Sequence, residues 1–426
     1  MSENIVTVPY KPLAVITAGT MVLAVAMWLA GHSYFAFWDT QTYIEAFGNI
    51  LRHGADAIRT PIYPLIVGFC RLLPGEMTWA YVLIILQLGA FAATIPVIWR
   101  VAARLMSARA ALITTAAYAW CPTFVSFAMF VMPDIWCVIG VTVLLAQAQK
   151  MAECCGYKAL TWCVFVSVAL VLLKPSNIYI AIWWAVVAAA LLLRRNRRWW
   201  YGLVPACAMT VVLGGYGLAV QRITGYYTIS VVSDINDLGN IAQRRKLVPE
   251  LAPDSATADL FRRINAADTV SNHQRRKMAF LGTESLTYAQ IHAVMSATKS
   301  YDPARWYLGI PARLFESMPS NAFPVHGSDR LKYYTKALHI SFYVVYVVIL
   351  ALFVWLCAAR RRCGEDSRHS LFRLSQLWAL WVLVCGGIAT AIIGGFDDYG
   401  RLAMGVYPAL ILLCGAVLAA PPATER

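Results

Sequence analysis

The sequence predicts an all-α integral membrane protein of about ten transmembrane helices, with interfacial helices in the first outer loop and a small, mostly helical extracytoplasmic segment. Three observations predict it. Of 426 residues, 60% are hydrophobic and only 14% charged, with mean hydropathy +0.60; such a chain cannot cover a soluble globule with polar surface. Apolar runs recur at roughly the 20 residues a helix needs to cross the hydrocarbon core. Alternating segments of about ten residues, the mark of an outer-membrane barrel, are absent.

Spans are expected near 12–31, 78–98, 110–130, 134–149, 160–174, 177–193, 199–220, 337–359, 372–394 and 402–420. The start, Met1 to Lys11, carries one lysine and no small-residue cleavage pattern, so it reads as retained. Pro61 to Pro74 is apolar but short and bracketed by prolines, which suits a helix lying along the interface. Leu160 to Leu193 is divided at Lys174-Pro175, because a single span would place Lys174 in mid-bilayer at a cost of a few kcal/mol. Residues 223–336 form the one sizeable polar region, with mixed charge and amphipathic stretches such as Leu286 to Met295. The organisation is therefore 1–222 as a first membrane core containing the loop 32–77, then 223–336 outside, then 337–426 as closing helices.

Orientation follows from the basic residues. With the N-terminus cytoplasmic, the inner segments hold sixteen lysines and arginines, among them Arg194, Arg195, Arg197, Arg198 and Arg360 to Arg362. The short outer segments hold five: Arg52, Arg59, Arg71, Lys174 and Arg401. This is a positive-inside pattern, and loops beyond about 60 residues are left out of such a count. The net charge of +14 is thus accounted for by retention beside anionic lipid; no nucleic-acid partner is implied. The eleven cysteines lie in or beside apolar spans and show neither a disulfide framework nor metal-ligand spacing.

In this orientation Asp39, Arg59, Asp134, Lys174, Asp397, Asp398 and Arg401 all fall on the outer side. Each has a plain structural alternative. Asp39 would cap the interface beside Trp38, Asp134 would satisfy a helix N-terminus after Pro133, and Asp397-Asp398 would be a solvated loop. Arg59 and Arg401 would anchor headgroups, and Lys174 would snorkel. Few charges fall within the spans, so no ladder of buried acids and bases marks an ion path.

Taken together these residues resemble a known family. An acid just after the first span, a tyrosine four residues on, and Arg-x-Pro-x-Tyr-Pro entering an interfacial helix occur here as Asp39, Tyr43 and Arg59-Thr60-Pro61-Ile62-Tyr63-Pro64. The pattern resembles the first outer loop of the C-type glycosyltransferases (GT-C), polytopic enzymes that use polyprenyl-phosphate sugars. Met132-Pro133-Asp134, Leu173-Lys174-Pro175 and Tyr399-Gly400-Arg401, leading to Tyr407-Pro408, are similar to later landmarks of that superfamily. The final motif reads Tyr-Gly-Arg-Leu where Arg-Tyr is more usual, and the resemblance does not extend to 223–336.

The resemblance implies that Asp39 is the catalytic base, that Asp134 is a second acid, and that Arg59 contacts the donor phosphate. Lys174 and Arg401 are expected to join Arg59 there, with Tyr43, Tyr63, Asp397 and Asp398 around the donor or acceptor. The implied reaction is inverting transfer of a sugar from a polyprenyl-phosphate carrier to an extracytoplasmic glycan or glycolipid, in a bacterial inner membrane. No cofactor is expected beyond the lipid-linked donor, and the need for a divalent metal is left open. The chemistry suits the residues: the departing phosphate needs fixed positive charge, the acceptor hydroxyl a carboxylate within hydrogen-bond reach. A transporter or flippase of lipid-linked sugars is the alternative, and it would show pseudo-repeats with matching broken helices; no convincing pair is visible.

Overall fold

A computed structural model of the chain describes residues 8–31, 38–75, 78–154, 156–194, 203–301, 303–325, 336, 339–362, 368–395 and 399–419. Among these residues the fold is helical throughout, with one isolated bridge between Asn321 and Ser341. By length and composition seven helices qualify as membrane spans, or eight if one bent pair is counted as a span. Of the ten spans expected, 160–174 corresponds to a 17-residue helix and 199–220 overlaps Leu203–Thr224.

The first span, α1 (Tyr10–Leu29), is followed by two helices of the first loop, α2 (Trp38–His53) and α3 (Ile62–Arg71). The two pack closely because residue 68 is glycine: a Cβ there would lie 2.0 Å from the Phe47 ring. The long α4 (Thr78–Leu105) leads to α5 (Ala108–Ala119) and α6 (Pro122–Ala128), which are bent by 46° where one span at 110–130 was expected. Pro122 explains the break, since it has no N–H for the preceding turn and is favoured in the first turn of a new helix.

After α6 the backbone is irregular up to α7 (Asp134–Cys154). Side chains meet the carbonyls at the end of α6 and in this stretch, as apolar surroundings require. Gln87 Nε2 donates to Ala128 O at 3.0 Å and Phe130 O at 2.7 Å, and Thr40 Oγ1 donates to Val131 O at 3.3 Å. Then α8 (Tyr157–Leu173) and α9 (Ile178–Arg194) flank a 3₁₀ turn at Pro175–Asn177. Lys174 is extended before the proline, at φ −155° and ψ 116°, as sterics at a pre-proline position favour.

Beyond α10 (Leu203–Thr224) come α11 (Val232–Gln243), α12 (Ser255–Ala266), α13 (Asn272–Gly282), α14 (Tyr288–Tyr301) and α15 (Pro303–Ser317). Local signals define them. Asp254 accepts from Thr257 N at 2.7 Å, and Ser271 with Gln274 forms a capping box. Leu238, Ile241, Phe261, Ile264 and Met295 build a small core here, separate from that of the membrane helices. The chain closes with α16 (Phe342–Arg362), α17 (Arg368–Gly394), the short α18 (Tyr399–Ala403) and α19 (Tyr407–Leu418), the last two separated by a 3₁₀ turn at Met404–Val406.

Candidate active site

Asp39 occupies the first turn of α2, where the exposed N–H groups and the helix dipole favour an anion. Each of its oxygens is held by a different arginine. Arg59 Nη2 lies 2.6 Å from Oδ1 and Arg401 Nη1 lies 2.8 Å from Oδ2. Two guanidiniums that would repel each other therefore converge on one anionic centre, drawn from the first loop and from α18.

The Arg59 side chain is fixed at every nitrogen. Nε donates to Thr42 Oγ1 at 2.7 Å and Nη1 to the Tyr43 hydroxyl at 3.3 Å, while Cζ sits 4.3 Å from the centroid of the Tyr43 ring. Its backbone is set by Asp56, whose Oδ1 accepts from Ile58 N at 2.9 Å and Arg59 N at 2.7 Å. The other Asp56 oxygen accepts from Asn49 Nδ2 at 2.8 Å. The Tyr216 hydroxyl donates to Arg59 O at 3.1 Å and Ser230 Oγ to Ile58 O at 2.6 Å, so α10 and the segment after it brace the same turn.

Burial of Asp39 would push its carboxyl up, but the Arg59 and Arg401 guanidiniums outweigh that and hold it well below the usual carboxylate range. Burial pushes the Tyr43 phenol up, and the charges of Arg59, Asp39, Asp134 and Arg401 all act on it, so Tyr43 lies among the charged groups of the site as a neutral donor or acceptor. Tyr63 packs edge-on against Tyr43 with centroids 5.0 Å apart, and its own hydroxyl donates to Gln87 Oε1 at 3.1 Å.

Asp134 opens α7 and is paired with Lys174, Nζ to Oδ1 at 2.7 Å. The carboxylate is 1% exposed, and its Oδ2 has no hydrogen-bond partner among the described residues. An ion pair this buried is sensitive: removal of one partner commonly costs about 3–5 kcal/mol, against about 0–1 kcal/mol for an exposed pair. Thr40, next to Asp39, is bonded to Val131 O just ahead of Asp134, so α2 is tied to the start of α7.

Of the residues expected from sequence, Asp39, Tyr43, Arg59 and Arg401 form one cluster, with Tyr63 behind Tyr43. Asp134 and Lys174 form a second ion pair whose carboxylate acts on Tyr43. Asp397 and Asp398 lie outside the described residues. Sequence reasoning missed Thr42, Asp56 and Gln87. The signal for Asp56 was present, since an aspartate three residues before Arg59 is suited to accept from the following backbone N–H groups. The described residues contain no group of three or more side chains suited to hold a metal ion.

These features define the class of the chain as an all-helical, multi-pass membrane protein with a charged cluster where its loops meet the bundle. The sequence matches no protein-family profile and no curated protein. Among solved structures, it is similar to the archaeal oligosaccharyltransferase AglB from Archaeoglobus fulgidus, determined in complex with an inhibitory peptide and a dolichol-phosphate. The identity is 13% and the TM-score 0.47, over 95% of this chain and 50% of the other. The chain thus spans about half the length of that protein.

Proposed function

We propose that the protein is a glycosyltransferase that moves a sugar from a polyprenyl-phosphate carrier to an extracytoplasmic glycan or lipid, with inversion, at the outer face of a bacterial inner membrane. The observation that carries this reading is the convergence of Arg59 and Arg401 on the two oxygens of Asp39. Paired guanidiniums aimed at one anionic centre are what a departing lipid phosphate requires, and arginine forks supply it without losing charge. In the resting protein the Asp39 carboxylate stands where that phosphate would be gripped.

Binding of the donor then exchanges one anion for another. The phosphate takes over guanidinium contacts, and Asp39 is left free to accept the proton of the attacking hydroxyl. The C1–O bond to phosphate breaks, a C1–O bond to the acceptor forms, the proton passes to Asp39, and the phosphate leaves as the lipid-linked anion held by Arg59 and Arg401. Asp134, with one oxygen on Lys174, serves as the second acid, and Lys174 adds positive charge at the same end of the bundle.

The test is release of polyprenyl phosphate when purified protein is mixed with a polyprenyl-phosphate sugar and a glycan acceptor. Release that depends on Asp39 and Arg59 is expected. Its absence with every donor tried, or its persistence in Asp39→Asn, would end this reading.

A further inference from the structure

A cavity of about 340 Å³ lies against the site and is used by none of the ion pairs described above. Thr42, Glu45, Asn49 and His53 wall it from α2, with Ile223 from the end of α10 and Tyr288 from the start of α14. The α2 residues follow one another at spacings of three, four and four, so they form a single stripe of the helix. Asp39 lies three residues before Thr42 and belongs to the same stripe. Thr42 is shared: its Oγ1 accepts from Arg59 Nε, and it also walls the cavity. Through Thr42 the cavity therefore borders the charged cluster along α2.

The lining is chemically mixed. Glu45, Asn49, His53 and Tyr288 offer hydrogen-bonding groups, Ile223 and the turn after Gly54 offer apolar ones, and no lysine or arginine takes part. Asp56 lines it too, with both oxygens engaged by Asn49, Ile58 and Arg59. Among the described residues Glu45 accepts from Gln41 Nε2 at 2.8 Å. Polar edges beside apolar faces match a sugar ring, whose hydroxyls form a rim and whose C–H bonds form flat faces. Two carboxylates, with no lysine or arginine among the lining residues, disfavour anionic groups. The volume is at the lower end of the roughly 300–1,000 Å³ typical of ligand pockets, which suits one ring more than a chain.

The geometry points to this cavity as the acceptor subsite, holding one non-anionic sugar residue with its attacking hydroxyl directed past Thr42 toward Asp39. The assignment rests on the glycosyl-transfer reading above and adds the class of acceptor and the residues that select it.

The full-length protein in lipid nanodiscs is examined by saturation-transfer difference NMR with neutral methyl glycosides (glucoside, mannoside, galactoside) and with glucose 6-phosphate and methyl glucuronide. At least one neutral glycoside is expected to bind, and the two anionic sugars not. Ile223→Trp, which fills the cavity, should abolish the signal. Glu45→Gln should weaken binding by about ten- to a hundredfold, as loss of one hydrogen bond to a charged acceptor does. Binding of polyprenyl phosphate to the same samples is measured in parallel and should be wild-type in both variants and lost in Arg59→Ala. If Ile223→Trp loses lipid binding as well, it is misfolded and Glu45→Gln decides.

The acceptor assignment is overturned by neutral-sugar signals that survive in the folded cavity variants, by anionic sugars binding as well as neutral ones, or by no neutral glycoside binding at all. Polyprenyl phosphate binding that is indifferent to Arg59 would instead overturn the transfer reading, so the two failures are distinguishable.

Discussion

Under the proposed glycosyl transfer, Asp39 would have two tasks that pull in opposite directions. As the neutraliser of Arg59 and Arg401 it must stay ionised, and their charges hold its carboxyl well below the usual range; as a base it should be more basic than that. Under that proposal, exchange with a phosphate would resolve the conflict, because donor binding would relieve the carboxylate of its cations when basicity is needed. Asp39→Asn should therefore lower transfer by about two to four orders of magnitude. It should also lower the melting temperature, since two guanidiniums would be left facing each other without an anion. Because the folded-state carboxyl titrates below the unfolded one, this stability is present above about pH 4 and is lost as pH falls further. Thermal unfolding of wild type and Asp39→Asn should show a constant gap from neutrality to about pH 5 and a narrowing gap below pH 4; a gap that widens in acid would contradict the assignment. Arg59→Lys should raise the donor KM and lower kcat, because an ammonium cannot reach Asp39, Thr42 and Tyr43 together as the fork does. Unchanged kinetics would make Arg59 an ordinary headgroup anchor.

At the level of elements, the position of Arg401 depends on how closely α18 approaches the backbone at Asn321 and Ala322. A Cβ on Gly400 would lie 2.4 Å from Asn321 O and 2.7 Å from Ala322 O, backbone atoms that cannot step aside alone. Gly400→Ala should therefore move α18 and reproduce the donor-KM defect of Arg401→Ala, with a lower melting temperature; kinetics like wild type would show that α18 absorbs the methyl group. Gln87 plays a comparable part inside the bundle. It accepts from Tyr63 and Trp136 and donates to Ala128 O at the end of α6 and to Phe130 O in the irregular stretch before α7. Gln87→Leu would remove the side-chain donor to Ala128 O and the acceptor of the Tyr63 hydroxyl and Trp136 Nε1, at about 1–3 kcal/mol for each buried group left without a partner. The expected readout is a large drop in melting temperature.

Across the whole molecule, the arrangement of charges predicts which residues act together. Arg59 and Arg401 share one carboxylate, so a double-mutant cycle on their alanine variants, read as kcat/KM for the donor, should give coupling of about 1 kcal/mol or more. Lys174 is bonded to Asp134, so its coupling with Arg401 should be smaller; equal coupling in both cycles would mean that all three meet one phosphate. The orientation is testable independently. A cysteine placed at the exposed Ser255 should react with an impermeant maleimide without opening the inner membrane, above the background of the native cysteines. Labelling only after permeabilisation would reverse the topology and remove the site from the outer face.

Much of this was legible in one dimension because it depends on local chemistry. Composition and run length separate membrane helices from everything else, since the bilayer admits few backbone solutions. A proline after Lys174 or Cys121 breaks a helix wherever it is placed, and an acid after a span or before an apolar run marks a helix start. The sequence by itself therefore determined the fold class, a helix after Pro61, and the short list of charged residues from which the cluster is drawn. It did not determine their pairing. Asp39 and Arg401 are 362 positions apart, and no local periodicity links them, because ion pairs between distant segments depend on how helices pack and not on what each helix is. The same reason hid Thr42 and Glu45: their stripe on α2 was readable, but the cavity exists only because α10 and α14 come down beside it. Only the tertiary structure decided that Arg59 and Arg401 converge on the two oxygens of Asp39.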